Sequence, residues 1–264
     1  MYAFEYQRPT SAADAAALIH ADARYLAGGQ SLIQAMKLRL SASERLVDLG
    51  GVADLKTIRF DGANLVIGAM VTHAAVAASV EVLRHCPALA ELAAGIGDPM
   101  VRNMGTIGGS VANADPAACY PAAVVGLGAT VQTNQRTIPG DAFFTGLYET
   151  ALEPGELVTA VSFPAVQTAA YVKFKQPASR FALVGVVVSR SAAGVRVAVT
   201  GAKGNVYRAT AIEAALSQSF TPEAAAAVKL PTTDINADMH GSAAYRAAMV
   251  SVMAARAVAA ALAR

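Results

Sequence analysis

Apolar and polar positions change period several times along the first fifty residues, and each change marks an element. Phe4 to Arg8 alternates and stops at Pro9, a short strand; Thr10 or Ser11 then caps an alanine-rich helix over Ala12 to Ala21. Arg24 to Ala27 reads as a buried strand, Ser31 begins a helix through Leu40, and Arg45 to Leu49 is the next strand. This βαβαβ order predicts a small α/β unit. From Leu55 the texture changes: Leu55 to Phe60, Asp61-Gly62 and Leu65 to Gly68 form a hairpin signal, and Thr72 caps a helix to Ala78. Val80 to Ala94 continues as helix with a break near Cys86, because Pro87 removes a helical donor. Further on come a helix over Pro121 to Leu127, a strand at Ala129 to Thr133, a short helical or turn segment at Asp141 to Leu147, and a strand at Leu157 to Phe163 closed by Pro164. Three β-rich runs follow, Ala169 to Phe174, Phe181 to Arg190 and Gly194 to Gly201, then helices near Ala209 to Leu216, Pro222 to Val228 and Ser242 to Ala263. Strands followed by helices predict a separate layered unit.

The chain has 264 residues, enough for a sizeable core and two or three units. Its formal net charge is +2 with only 15% charged residues, which gives nucleic acid no electrostatic footprint. The start, M-Y-A-F-E-Y-Q-R-P, lacks a basic region followed by an apolar one, so no secretion signal is read. Ala247 to Ala263 is apolar but interrupted by Ser251 and Arg256, too short to span a bilayer comfortably, and the expected location is the cytoplasm. Cys86 and Cys119 are far apart, and His20, His73, His85 and His240 fall into no metal-binding pattern, so the chain is expected to hold no metal and no cluster of its own. At 55% hydrophobic residues, much of it alanine, the composition points either to close helix packing or to surface that another chain covers.

Two glycine stretches carry the candidate chemistry. Thr106 to Asp115 reads T-I-G-G-S-V-A-N-A-D, and Ala27 to Ser31 reads A-G-G-Q-S. Both are expected to be loops whose amides point outward at an anion, since glycine has no Cβ to hold a ligand off. Neither contains the lysine of a Walker loop nor matches G-x-G-x-x-G, which favours a pyrophosphate held by amides from two sides.

With both stretches placed, the chain resembles the FAD-binding medium subunits of the molybdenum hydroxylases, the group that includes carbon monoxide dehydrogenase and the flavin domain of xanthine dehydrogenase. A-G-G-Q-S-L-I at 27 to 33 with M-K-L-R-L at 36 to 40 resembles one family signature, R-N-M-G-T-I-G-G-S-V-A-N-A-D-P at 102 to 116 another, and E-P-G-E-L at 153 to 157 a weaker third. The resemblance implies an α+β fold: an FAD-binding domain over 1–165 of the vanillyl-alcohol-oxidase/PCMH type, built of α/β subdomains at about 1–50 and 51–165, and a C-terminal α+β domain over 166–264 with a three-stranded sheet and helices.

Carried over residue by residue, it implies that Ala27, Gly28, Gly29, Gln30 and Ser31, with Leu32 beside them, and Thr106, Ile107, Gly108, Gly109 and Ser110 hold the FAD diphosphate and its neighbouring sugar. Asn113 and Asp115 would address the ribityl or adenosine part, although an Asx turn before Pro116 is an equal reading of Asp115. Leu152 would lie at the isoalloxazine edge, or simply in the core. Phe181 stands where some relatives place a tyrosine over the ring, or packs inside the C-terminal sheet. Cys119 replaces a second aspartate of the family's D-P-x-x-D and is a poor acceptor for a hydroxyl.

The function so implied is an FAD-carrying electron-transfer subunit of a multi-subunit molybdenum hydroxylase, with no catalytic acid, base or nucleophile of its own. Electrons would come from [2Fe-2S] clusters on an iron–sulfur small subunit, substrate would be hydroxylated at the molybdenum cofactor of a molybdopterin large subunit, and the assembly would be a heterotrimer or its dimer. Two other classes stand beside it: an independent FAD-dependent oxidase or dehydrogenase of a small molecule, and a structural subunit that has lost its flavin, the latter motivated by Cys119.

Overall fold

The computed structural model describes residues 1–264. It opens with β1 (Glu5–Gln7), α1 (Ala12–Ala17), β2 (Ala23–Leu26), α2 (Leu32–Lys37) and β3 (Arg45–Asp48). β1 and β2 both run parallel to β3, in the order β1-β3-β2, because each helix returns the chain to the same end of the sheet. Ser11 caps α1 through the Asp14 amide. Both helices stop earlier than the apolar pattern suggests: the Ala23 amide donates to His20 and starts β2, and Arg39 takes a left-handed φ of 59° that ends α2.

The middle of the chain forms β4 (Ile58–Phe60), β5 (Asn64–Gly68), α3 (His73–Ala78), α4 (Val80–His85), α5 (Pro87–Ala94), α6 (Pro99–Met104), α7 (Ile107–Asn113) and α8 (Cys119–Gly126). Then come β6 (Thr130–Thr133), β7 (Thr137–Pro139), α9 (Gly140–Phe143), β8 (Phe144–Gly146), β9 (Glu149–Thr150) and β10 (Val158–Pro164). Five strands make an antiparallel sheet in the order β4-β5-β10-β6-β7, while β8 and β9 pair alone. The D-G turn is as read, Asp61 accepting the Ala63 and Asn64 amides, and the helix breaks at Cys86 before Pro87. Two helices depart from expectation. α6 was not legible, and Thr106 to Asn113 is not a loop but a cap followed by α7.

The C-terminal part comprises β11 (Thr168–Lys175), β12 (Ala182–Ser191), β13 (Gly194–Thr200), β14 (Tyr207–Arg208), α10 (Thr210–Gln218), α11 (Pro222–Ala226) and α12 (Ala243–Leu262). The expected three-stranded sheet is four-stranded, β11-β12-β13-β14, since the two residues of β14 are too few to show an alternation. Val184, Val186 and Val188 of β12 pack in one core with α10, α11 and α12, whereas Val187 belongs to the core of the middle unit. Burial on both faces explains the unbroken apolar run A-L-V-G-V-V-V. α12 falls within the expected helix over Ser242 to Ala263 and, by length and composition alone, could cross a membrane; here Val250, Met253, Ala254, Ala257 and Val258 are buried against the sheet.

α8 joins the two halves. Its Gly126 lies on β12 so closely that a Cβ there would stand 2.6 Å from Val187 Cγ1 and 3.1 Å from Ala198 Cβ, and the Ser189 hydroxyl donates to the Gly126 carbonyl at 2.6 Å. Gly126→Ala is expected to lower the unfolding free energy by about 1 to 3 kcal/mol through overpacking, measured by urea denaturation. An unchanged midpoint would show that α8 does not rest on β12 in this way.

Candidate functional site

β2 delivers the chain to Ala27 at the carboxyl end of the parallel sheet, and α2 does not begin until Leu32. Between them Gly29 turns the backbone with a φ of 70°, a conformation open to glycine and strained for most other residues. The amides of Gly28, Gly29, Gln30 and Ser31 donate to nothing within the chain. Consecutive unpartnered N–H groups leading into a helix start make a concave donor set suited to a phosphate oxygen.

The second glycine stretch differs. Beyond β5 the chain runs alongside residues 105–108: the Gly108 amide donates to Ala69 at 2.9 Å, the Ile107 amide to Val71 at 3.0 Å, and the His73 amide to Gly105 at 2.9 Å. Thr106 Oγ1 then caps α7 by accepting the Gly109 amide at 3.1 Å, and the Thr106 carbonyl accepts the Ser110 amide at 3.0 Å. All four amides from 107 to 110 are therefore occupied, which corrects the expectation that they point outward. These glycines serve packing instead. A Cβ on Gly108 would stand 2.4 Å from Ala69 Cβ, and one on Gly109 would meet Thr106 Oγ1 at 3.0 Å and Ala27 Cβ at 3.3 Å.

Both stretches line one cavity of about 560 Å³, within the range of about 300 to 1,000 Å³ typical of small-molecule sites. Of the candidates, only Ile107 fails to reach it; its side chain is fully buried in the core. Asp115 forms the Asx turn, Oδ1 accepting the Ala117 amide at 2.8 Å, while Oδ2 accepts the Tyr148 hydroxyl at 3.4 Å. Asn113 ends α7 and Ala114 turns the chain with a φ of 49°. Leu152 lines the cavity and also leans on the core. Phe181 lies outside β12, is 47% exposed and lines the cavity, so it is not packed inside the C-terminal sheet. Cys119 opens α8 nearly buried, and Lys173 of β11 donates to its Sγ at 3.4 Å.

Sequence reasoning missed several residues here. His73 is buried on the cavity wall with Nδ1 unpartnered, and burial, aided by the Arg102 charge, lowers its pKa to about 4. The imidazole is therefore neutral at pH 7, a donor or acceptor rather than a cation. Tyr25, pushed up to about 12 by burial, donates to the Gly155 carbonyl at 2.8 Å and so ties β2 to the turn at 153–156. That turn is held by Glu156: its carboxylate accepts from Arg136 Nε and Nη2 at 3.0 Å each, from the Thr133 hydroxyl at 2.7 Å and from the Glu153 amide at 2.8 Å. His73 belongs to no motif. The one available sign for Glu156 was the E-P-G-E turn itself.

Residues 2–166 match the family described as "FAD binding domain in molybdopterin dehydrogenase". The carbon monoxide dehydrogenase medium chain of Hydrogenophaga pseudoflava is 36% identical, the alignment covering 99% of this chain and 98% of that one. The corresponding chain of Afipia carboxidovorans is 38% identical over 99% and 97%. Among solved structures, carbon monoxide dehydrogenase from Hydrogenophaga pseudoflava lacking the Mo-pyranopterin moiety superposes with a TM-score of 0.90 at 37% identity, covering 99% of this chain and 98% of that one. Quinoline 2-oxidoreductase from Pseudomonas putida 86 also gives 0.90, at 30% identity over 98% and 97%.

The Arg136 guanidinium, first among its partners, holds the Glu156 carboxyl at about 2, below the ordinary 4.5. Its stabilisation is thus complete above pH 4.5 and is lost as the pH falls towards about 2. Arg136 is 44% exposed, so water screens part of the attraction. Urea unfolding should show Glu156→Gln less stable than the native chain at pH 7, with the gap narrowing steadily below pH 4.5. A gap independent of pH would contradict the charge-based account.

Proposed function

The chain belongs to the family of FAD-binding domains of molybdopterin dehydrogenases, and on that premise we propose that it holds FAD in this cavity as the electron-transfer subunit of a molybdenum hydroxylase. The observation that carries the reading is the set of four unpartnered amides at Gly28 to Ser31 on the wall of a cavity that also receives Thr106, Gly109 and Ser110. Bound FAD supplies exchange of one or two electrons at a time, which suits a relay between single-electron clusters and a final acceptor.

The residues present fit that group. Gly28, Gly29, Gln30 and Ser31 hold the diphosphate through their amides, and no lysine or arginine is required to neutralise it. The hydroxyls of Thr106 and Ser110 border it; Thr106 Oγ1 is partly engaged by its cap. Asn113 and the Asp115 carboxylate, which keeps acceptor capacity beyond its Asx turn, address sugar hydroxyls. Leu152 and Phe181 give the ring apolar walls. Cys119 stands where an acidic partner would, so the sugar contact there is lost or taken by a neighbour. The cofactor-binding domain occupies 1–165 and the C-terminal domain 166–264, which closes the cavity with Lys173, Arg180 and Phe181.

The partners are an iron–sulfur small subunit and a molybdopterin large subunit, assembled as a heterotrimer or its dimer in the cytoplasm. Relatives named as medium chains or medium subunits, such as that of nicotine 6-hydroxylase from Paenarthrobacter nicotinovorans, 34% identical over 97% of this chain and 96% of that one, support this reading.

Purified with its partners, the chain should show flavin absorption and release one FAD on denaturation. In Gly29→Val the left-handed turn is strained and a Cβ meets Ile33 Cγ1 at 2.9 Å, so FAD affinity should fall about tenfold or more, an energetic loss of about 1.4 kcal/mol or greater. A native protein without flavin bands would sink the assignment; full flavin retention in the variant would instead move the diphosphate away from these amides.

A further inference from the structure

Lys173, a half-buried lysine of β11, directs its ammonium at two carbonyls and a sulfur. Its ammonium donates to the Gly95 carbonyl at 2.8 Å, the Arg180 carbonyl at 2.8 Å and Cys119 Sγ at 3.4 Å. None of the ion pairs in the chain includes it, so the sulfur is the one non-carbonyl group on its nitrogen. Beside the same sulfur lies the Tyr171 hydroxyl, buried and without a well-formed hydrogen bond. β11 places both on one side, since residues two apart in a strand face the same way. The ring of Tyr171 fits because the residue diagonally across from it on β12, opposite Lys173, is glycine: a Cβ on Gly185 would stand 2.6 Å from the hydroxyl oxygen. Cys119 itself is 5% exposed and lines the 560 Å³ cavity, which gives a small solute a path to it.

We propose that Cys119 and Lys173 are an oxidative modification site, joined by a covalent sulfur–nitrogen bond when hydrogen peroxide enters the cavity. The Cys119 thiolate attacks one peroxide oxygen, the O–O bond breaks, hydroxide leaves, and sulfur is oxidised by two electrons to sulfenic acid. The new S–OH oxygen gives the orphan Tyr171 hydroxyl an acceptor. The Lys173 nitrogen, having released one proton to water, attacks sulfur; the S–N bond forms, the S–O bond breaks, and water departs with a second hydrogen from nitrogen. No further oxidant is needed for this condensation. Nitrogen then carries one hydrogen in place of three, so at least one of its ties to Gly95 and Arg180 is lost. Those ties, with the Arg180 guanidinium on the Gly97 carbonyl at 3.1 Å, hold the 176–181 turn, whose Ser179, Arg180 and Phe181 line the cavity, so oxidation loosens that wall. Cys86 provides an internal control: it is buried, lines neither large cavity, and burial raises its thiol to about 11.

The inference does not rest on the flavin reading. The experiment is to treat the full protein, as purified with any partners, with stoichiometric hydrogen peroxide, alkylate the remaining thiols, and map the digest by mass spectrometry. The expected product joins the Cys119 and Lys173 peptides at a mass two hydrogens below their sum, is reversed by dithiothreitol, and leaves Cys86 alkylated. Hydrogen exchange over residues 176–181 should rise in the same sample. Recovery of Cys119 only as free thiol, sulfinic acid or a disulfide, with Lys173 unmodified, would overturn the proposal. In Lys173→Arg the joined product should vanish and Cys119 should proceed to sulfinic acid; if the native chain and the variant yield the same products, the lysine has no part. The peptide map of the native chain decides the matter even where the variant folds poorly.

Discussion

The arrangement depends on one steric contact, the approach of the Gly28 backbone to the backbone at 104–105. A Cβ at residue 28 would stand 1.9 Å from the Met104 carbonyl oxygen and 2.8 Å from Gly105 Cα, closer than any side chain tolerates. Glycine alone allows the parallel three-stranded unit and the segment leading into α7 to share one wall. Gly109 repeats the contact from the other side, its missing Cβ facing Ala27 at 3.3 Å. The segment at 105–108 is in turn fixed by the extension of β5, through the bonds from Gly108 to Ala69 and Ile107 to Val71. Position thus passes from a sheet buried on core residues such as Ile67 and Val161 to the cavity wall by backbone hydrogen bonds, helped by the Thr106 cap and the buried Ile107 side chain.

The C-terminal sheet enters the same construction from the opposite direction. Thr200 donates its hydroxyl towards the Pro116 and Ala118 carbonyls at 2.6 and 2.7 Å, and the Gly201 amide donates to Pro116. These bonds fix the turn after Asp115 and the start of α8, so Cys119 and the Asx turn are placed by strands more than sixty residues away. β11 and the Arg180–Phe181 segment then complete the cavity. The cavity is thus assembled from three walls, and the core of the middle unit runs on into Val187 and Ala198 of the C-terminal sheet, which docks the third wall on the second.

Much of the fold was legible because its elements obey local rules. The parallel unit announced itself through caps and short apolar runs, and Pro87 and Asp61-Gly62 gave a break and a turn on the right residues. What stayed hidden was tertiary. β14 has two residues and exists only by pairing with β13. Helix α6 lacks an apolar stripe, none of its residues being buried, so periodicity could not find it. His73 and Lys173 become site residues through elements that meet from distant parts of the chain, and nothing adjacent to them in sequence records that meeting; Tyr25 directly precedes the first glycine stretch, but its bond to the distant Gly155 carbonyl leaves no mark in the sequence.

The glycine pairs show where residue type stops being informative. G-G in A-G-G-Q-S and G-G in T-I-G-G-S are equal as strings, and both line the cavity. A missing Cβ has two uses, to free the backbone for a ligand or to let two backbones pack, and the letters do not distinguish them. Hydrogen-bond accounting does. Buried amides are nearly always paired; those of 107 to 110 are paired within the chain, so their glycines are there for packing, whereas those of 28 to 31 have no partner in the chain and belong to half-buried or exposed residues that a ligand or water can reach. An anion in this cavity therefore draws its backbone donors from the first stretch, while the second sets how far the first can advance. The symmetric cradle expected from the sequence is in fact a donor loop seated on a packed helix start.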